Sequence, residues 1–445
     1  MGGSGRPPGS RLVGMMPRHP VFRAVAWLVL LSFLTSACAS RNVPPIGAGG
    51  QPFKPEADER QLWAQAEKEE EKLLKRAKAY DDPLLEEYLA RVGDRLLPDE
   101  VKAAGGPGFR FGVMSDPTLN AFAMPNGHVY VHTGLLARLD DEAQLAMILG
   151  HEMTHVTHRH ALKFNRDATN KQILYTILSV AASIGVAVAA GSRARSGDYV
   201  GAAVLSQTAN AILGIGLQLA ALAAINGYGR DLEREADAEG MKRLVRAGYD
   251  QKEAAKVFEL LRSEGKDRGT LETFFFGSHP KLTERIETTN ELLRTTYAAA
   301  ATAPTTVKNT EDFGLRMRTV VRDNAALDTR AGRFTLAQEQ LDRVLAITPR
   351  DPLAHLYYGD LYRLRSQRAR DAADREALAK KALVSYERAA ELDPKFPDPF
   401  RQLGFLYYQQ KENERARDAF KKYLALKPDA PDGRRIKEYL LELDR

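Results

Sequence analysis

The chain has 445 residues, 44% of them hydrophobic and 27% charged, an ordinary globular composition with ample core for two or three domains. Its formal charge of +6 includes Arg6, Arg11, Arg18 and Arg23 with no acid before Cys38, which leaves +2 for the rest and no case for nucleic-acid binding. Cys38 is the only cysteine, so disulfides within the chain are excluded.

The leader arginines precede an apolar run, Ala24 to Leu34, of the length of a secretion-signal core and too short for a comfortable membrane span. Leu34-Thr35-Ser36-Ala37-Cys38 resembles the lipobox of bacterial lipoproteins, although Thr35 stands where leucine is usual, and Ala37-Cys38-Ala39 offers an alternative A-x-A cleavage site. The expectation is a signal peptide over 1–37, lipidation at Cys38 and a Pro/Gly-rich, lipid-anchored tether over 38–55. That places the protein in the periplasm, on the outer membrane through its anchor, or soluble there if the signal is simply cleaved.

From Glu56 to Leu97 the sequence is helical and highly charged, broken at Tyr80-Asp81-Asp82-Pro83 and resumed with an apolar stripe of Leu84, Leu85, Tyr88, Leu89, Val92 and Leu96. It reads as a bracing layer. Next, His128 and His132 flank Val129-Tyr130-Val131 with period two, so they share one face of a short strand.

His151-Glu152-Met153-Thr154-His155 follows Asp140 and Asp141, which are plausible N-caps, within a run whose apolar residues include Leu145, Ala146, Ile148 and Leu149. The i, i+4 spacing puts both imidazoles on one helix face, where they can hold a zinc ion while Glu152 takes a proton from water. A zinc site needs a third protein ligand and an open fourth position. His158 and His160 continue the same helix past the ligands, and a three-ligand site is complete without them.

Two apolar stretches come next, Ile173 to Ala190 and Val200 to Ile225, separated by a polar turn. Gln207, Asn210 and Gln218 weaken a membrane-spanning reading, and a helical hairpin over the cleft, spanning 172–226, is preferred. The acidic run from Asp231 to Glu239 then supplies Glu233 and Asp237 four apart on one helical face, so that one can ligate and the other can orient a ligand histidine. Glu235 points elsewhere. His279 precedes Pro280 at the start of another helix, where a loop histidine near the metal can donate to an oxyanion.

Tyr297 to Thr306 marks a composition shift, with a linker over 300–312. Beyond it, over 313–445, Gly404, Tyr407, Ala416, Phe420 and Pro428 match tetratricopeptide spacing, as do Gly359, Tyr362, Ala382, Tyr386, Ala389 and Pro394. A weaker unit ends with Ala337, Leu341 and Pro349. Stacked helix pairs of this kind form a concave surface suited to a peptide or partner segment.

His151 to His155, then Glu233-Arg234-Glu235-Ala236-Asp237, then Gly277-Ser278-His279-Pro280 resemble, in order, the motifs of the gluzincin family that includes the prenyl-protein endopeptidase and the HtpX heat-shock membrane protease. The resemblance implies one zinc per chain held by His151, His155 and Glu233, Asp237 buttressing a ligand histidine, and Glu152 as general base. It further implies that His279 acts beside the metal, as oxyanion donor or as the occupant of the open position in a latent enzyme, and that Arg285 matches a family position. Asn120 to Ala123 with Gly127 to Leu136 resembles the strand and turn before the active-site helix, which makes Asn120, Ala121, Val129 and Val131 the expected substrate-binding residues. The expected architecture is mainly α: a zincin-like α+β peptidase domain with a small sheet over 56–299, followed by an α-solenoid of tetratricopeptide repeats. The expected function is zinc-dependent cleavage of misfolded or misassembled envelope and outer-membrane proteins, with the repeats docking on outer-membrane assembly machinery. The alternative is a latent protease acting mainly as a chaperone or scaffold in that assembly.

Overall fold

The computed structural model describes residues 43–169, 228–266, 282–298 and 306–444. The leader with Cys38, the apolar hairpin over 172–226 and His279 lie outside the described residues. Among the described residues no helix is long and apolar enough to cross a membrane.

Glu56 and Glu59 form a capping box that opens α1 (Ala57–Arg76), each side chain accepting the other's backbone N–H. Asp82 accepts the Leu85 N–H at 3.1 Å and Pro83 occupies the first turn, which starts α2 (Pro83–Leu96) after the break read from the sequence. The α2 residues Leu85, Leu89, Val92 and Leu96 recur at helical spacing and are buried in the core. Leu84, counted in the same stripe from sequence, faces solvent at 76% exposure. A short α3 (Asp99–Ala104) leads to the sheet.

The sheet has three strands, β1 (Arg110–Met114), β2 (Ala121–Ala123) and β3 (His128–His132), in the order β1-β3-β2. Central β3 runs parallel to β1, with Arg110 beside His128, and antiparallel to β2, with Phe122 beside Tyr130. After α4 (Thr133–Leu136), Asp141 accepts the Gln144 N–H at 2.8 Å and starts α5 (Glu142–Thr157). Every residue of α5 is buried, so it is a core helix rather than an amphipathic surface one. Its first residue, Glu142, is fixed by Tyr88 and Tyr249 hydroxyls at 2.6 and 2.7 Å and by Asn309 Nδ2 at 2.7 Å.

Crossing α5 is α6 (Arg230–Arg246), and α7 (Lys252–Lys266) and α8 (Leu282–Arg294) complete the layer around it. The crossing is made by two glycines: a Cβ on Gly240 would lie 3.0 Å from His151 N, and one on Gly150 3.2 Å from Gly240 O. Backbones this close leave no room for side chains between them, and the carboxylates of α6 are thereby brought to the histidines of α5.

The C-terminal part is a run of helix pairs: α9 (Thr310–Ala331) with α10 (Phe334–Ile347), α11 (Pro352–Arg368) with α12 (Ala372–Leu392), α13 (Pro397–Gln409) with α14 (Asn413–Leu426), then α15 (Gly433–Leu443). The fold is thus mainly helical with a small mixed sheet, followed by tetratricopeptide-like repeats. Gly359 lies under the Tyr386 ring and Gly404 under Phe420, so the repeat glycines mark where paired helices approach closest.

One hydrophobic core joins the first repeat to the sheet domain. It runs from Leu89, Val131 and Leu145 to Phe313, Met317, Val320, Leu341 and Leu361, whereas a second core gathers Leu356, Tyr386, Leu403, Phe420 and Ile436. Polar contacts reinforce the join: Thr133 donates to Asn324 at 2.9 Å, Arg138 to Asp328 at 2.9 Å, and Arg343 to the Ala137 and Leu139 carbonyls at 3.0 and 2.8 Å.

Candidate metal centre

His151 and His155 sit one turn apart on α5 and face Glu233 in the first turn of α6. His151 Nε2 is 3.0 Å from His155 Nε2 and 3.4 Å from Glu233 Oε2, and His155 Nε2 is 3.8 Å from Glu233 Oε1. Donors around a tetrahedral zinc at about 2.0–2.1 Å stand roughly 3.4 Å apart, so this triangle has the dimensions of one face of such a site. All three side chains are buried. Two imidazole nitrogens that face each other with a carboxylate suit a shared cation far better than each other, and the donor set fits the metal that the motif implies.

The rings are oriented from behind. Asp237 Oδ1 stands 2.9 Å from His151 Nδ1, and Arg285 donates to both Asp237 oxygens, from Nη2 at 2.6 Å and from Nε at 2.8 Å. Burial raises the Asp237 carboxyl, but the Arg285 charge and the His151 hydrogen bond more than offset it and hold the group below its ordinary range. The backbone N–H of Tyr228 donates to Glu233 Oε1 at 3.0 Å, and the Tyr228 ring stacks on His155 with centroids 4.6 Å apart.

Glu152 lies beside the triangle, buried, with Oε1 unpartnered among the described residues. Burial pushes its carboxyl up to about 8, the His151 charge opposes this and Glu233 adds to it, while the Ala123 backbone N–H hydrogen-bonds to it. A carboxyl with raised proton affinity, one free oxygen and an adjacent cation site can exchange a proton with a water.

Sequence expectations meet this geometry unevenly. His151, Glu152, His155, Glu233 and Asp237 are brought together, and Arg285, read only as a family position, joins them. Asn120 and Ala121 lie beside and at the start of β2, an edge strand of the sheet, and their side chains are buried, at 2% and 0% exposure, which leaves only backbone for a substrate to meet. Val129 and Val131 instead belong to the central strand, paired on both sides and 0% exposed, so they are core residues. His132 Nδ1 pairs with Thr118 Oγ1 at 2.8 Å, and His128 with Glu70, both away from the triangle. Tyr228 carries no sequence signal, because the whole apolar insert separates it from His155. A continuous helix would carry His160 off the ligand face, yet its Nδ1 is 2.8 Å from His155 Nδ1.

Residues 83–293 match the sequence pattern of Peptidase family M48, and residues 369–440 that of the tetratricopeptide repeat. A protein of Vibrio cholerae serotype O1 is 29% identical over 270 residues, covering 60% of this chain and 50% of its own length. The beta-barrel assembly-enhancing protease of Escherichia coli K12 is 27% identical over 266 residues, covering 59% of this chain and 47% of that one. The mitochondrial metalloendopeptidase OMA1 of Schizosaccharomyces pombe is 29% identical over 224 residues, 46% of this chain and 58% of that one. The chain spans about half the length of the two bacterial relatives.

Proposed function

For a chain carrying a Peptidase family M48 domain followed by tetratricopeptide repeats, we propose a zinc-dependent endopeptidase of the bacterial cell envelope that cleaves misfolded or misassembled outer-membrane proteins. The observation that carries the chemistry is the buried triangle of His151, His155 and Glu233, with Glu152 Oε1 unpartnered among the described residues beside it. The envelope role is supported by the E. coli relative, whose name ties it to β-barrel assembly.

Zinc, held one per chain by these three residues, supplies when bound a Lewis acid that polarises the scissile carbonyl and acidifies a water. Glu152 takes the proton of the attacking water and passes it to the leaving amine. Asp237 and Arg285 fix the His151 ring. His279, by its place in the family pattern, donates to the developing oxyanion. The substrate pairs as an extended strand along β2: Met124 N–H and Asn120 C=O bond toward β3, so the alternation of the ladder turns the Ala121 peptide groups and the Ala123 C=O to the other side, while the Ala123 N–H is already taken by Glu152. The repeats dock outer-membrane assembly machinery, and Cys38, lipidated, ties the chain to the membrane.

The test compares cleavage of an unfolded protein by the parent and by Glu152→Gln at matched zinc content. Cleavage by the parent alone is expected. Undiminished turnover by the variant sinks the assignment, and zinc bound by both with cleavage by neither favours the chaperone or scaffold reading.

A further inference from the structure

Resting on the reading of His151, His155 and Glu233 as zinc ligands, we propose that His160 is the positioning residue of His155, and that the Glu235 carboxylate beside His160 favours the tautomer in which His160 does this.

A helix that ran on past His155 would carry residue 160 roughly 140° away around its axis. Instead α5 ends at Thr157, and Arg159 takes a φ of 56°, a left-handed conformation that residues with a Cβ avoid. The turn is held from outside. Arg159 donates to Glu59 at 2.6 and 2.9 Å and to Glu56 at 3.0 Å, and Ile46 N–H donates to Thr157 O at 2.8 Å. Helix resumes at 160, with the His160 side chain 0% exposed and its Nδ1 against His155 Nδ1. A disfavoured backbone fixed by Glu59 of α1 and by its N-cap Glu56 thus has one visible product, an imidazole nitrogen placed on a ligand imidazole.

The proton positions are set by ligation. A histidine that binds metal through Nε2 keeps its proton on Nδ1. His155 Nε2 faces the triangle, so its Nδ1–H points at His160, whose Nδ1 must accept. The His160 proton then sits on Nε2, which makes no hydrogen bond among the described residues but has the Glu235 carboxylate beside it, Oε2 at 3.3 Å, whose charge favours a proton there. Glu235 is itself fixed by His158 Nδ1 at 2.6 Å and Lys163 Nζ at 3.2 Å. His151 is backed by Asp237 and His155 by His160, so each ligand imidazole has its own partner behind it.

His158, His160 and Glu235 are also close enough together to hold a cation of their own. The tautomers oppose that. A cation on His160 Nε2 would move its proton to Nδ1, against the Nδ1–H of His155, and Lys163 already places an ammonium on both Glu235 oxygens.

The experiment measures zinc affinity of the full chain by competition with a chelator, together with the visible spectrum of the cobalt-substituted protein, for His160→Leu and His160→Asn. Circular dichroism of the metal-free forms checks the fold. His160→Leu should bind zinc about 10–100-fold more weakly and shift the cobalt bands, whereas His160→Asn, whose Oδ1 can accept the His155 proton, should stay near the parent in both. Parental affinity in both variants, or an equal loss in both, overturns the inference, as does a second zinc that His158→Ala removes. If His160→Leu does not fold, Glu235→Ala decides: weakened zinc supports the relay and parental zinc overturns it. Failure of the underlying reading looks different, because the parent would then bind no zinc that His151→Ala abolishes.

Discussion

Arg285 meets Asp237 with two parallel hydrogen bonds, at 2.6 and 2.8 Å, and both side chains are buried while the guanidinium lies over the Phe258 ring at 4.4 Å. The mutual attraction of such a buried pair is largely offset by desolvation, whereas removing one partner strands the other as an uncompensated buried charge. Arg285→Met should therefore destabilise the metal-free protein by about 3–5 kcal/mol in urea unfolding. Arg285→Lys keeps the charge without the fork and should fall between that variant and the parent. A Met variant as stable as the parent would show that His151 suffices to hold Asp237.

Gly240→Ala tests the crossing of α5 and α6. Alanine gains about 1 kcal/mol of helix propensity over glycine, but its methyl would meet His151 N at 3.0 Å and His151 Cα at 3.3 Å, backbone atoms that cannot swing aside. Overpacking of this kind costs about 1–3 kcal/mol, so the melting temperature should fall and zinc should bind more weakly. A rise in melting temperature would mean that the helices separate without strain.

Zinc removal should lower stability, because a ligand that binds only the folded state stabilises it by about 2.7 kcal/mol at a hundred times its dissociation constant. Calorimetry with and without chelator should show the shift in the parent and in Glu152→Gln, and none in His151→Ala. A shift retained by His151→Ala would place the zinc elsewhere.

Arg138→Met probes the join between the peptidase and the first repeat. Asp328 is 0% exposed and Arg138 donates to it at 2.9 Å, but Arg333 and Gln340, each at 2.6 Å, and Asn324 at 3.1 Å still hold the carboxylate without Arg138, so the loss should be that of one charge-assisted hydrogen bond, about 1.5–3 kcal/mol. Zinc release and loss of helix should shift together along the urea axis. Loss of the repeats at lower urea, with zinc still bound, would contradict a common core.

Acid should loosen the same region through Glu253. Burial alone would raise its carboxyl, but hydrogen bonds from Lys256, Lys308 and Gln144 bring it down to about 2, below the ordinary 4.5. A depressed folded pKa stabilises above the ordinary value, and that contribution is lost as pH falls from about 4.5 through about 2. The stability gap between the parent and Glu253→Gln should therefore shrink across that window in urea titrations. A gap independent of pH would mean that Glu253 titrates alike folded and unfolded.

Local periodicity makes much of this legible. The two histidines of α5 and the pair Glu233 and Asp237 each depend on a single helix, so their spacing already implies a shared face, although spacing alone leaves open which carboxylate ligates. His160 is hidden because its place depends on the left-handed turn at Arg159, and no sequence rule makes an arginine adopt it. Resemblance to a family strand and turn does not count the neighbours of β3, so Val129 and Val131 are expected at the substrate when they lie in the middle of the sheet. The Ala/Thr/Pro-rich stretch after Tyr297 reads as a clean boundary. Yet beyond it Val307 N donates to Gly248 O at 3.0 Å and Asn309 binds Glu142, contacts that only the three-dimensional arrangement brings about.

The common core of sheet domain and first repeat imposes an order on maturation. Leu145 on the histidine-bearing helix α5 belongs to the same apolar cluster as Phe313, Leu341 and Leu361, which emerge long after it during synthesis. Until those residues arrive, the ligand helix lacks part of its packing, so the half of the chain made first is completed by the half made later. A nascent or truncated chain ending before the first repeat would carry its histidine-bearing helix in an unfinished interior, and the candidate metal site would be completed only once that repeat is present.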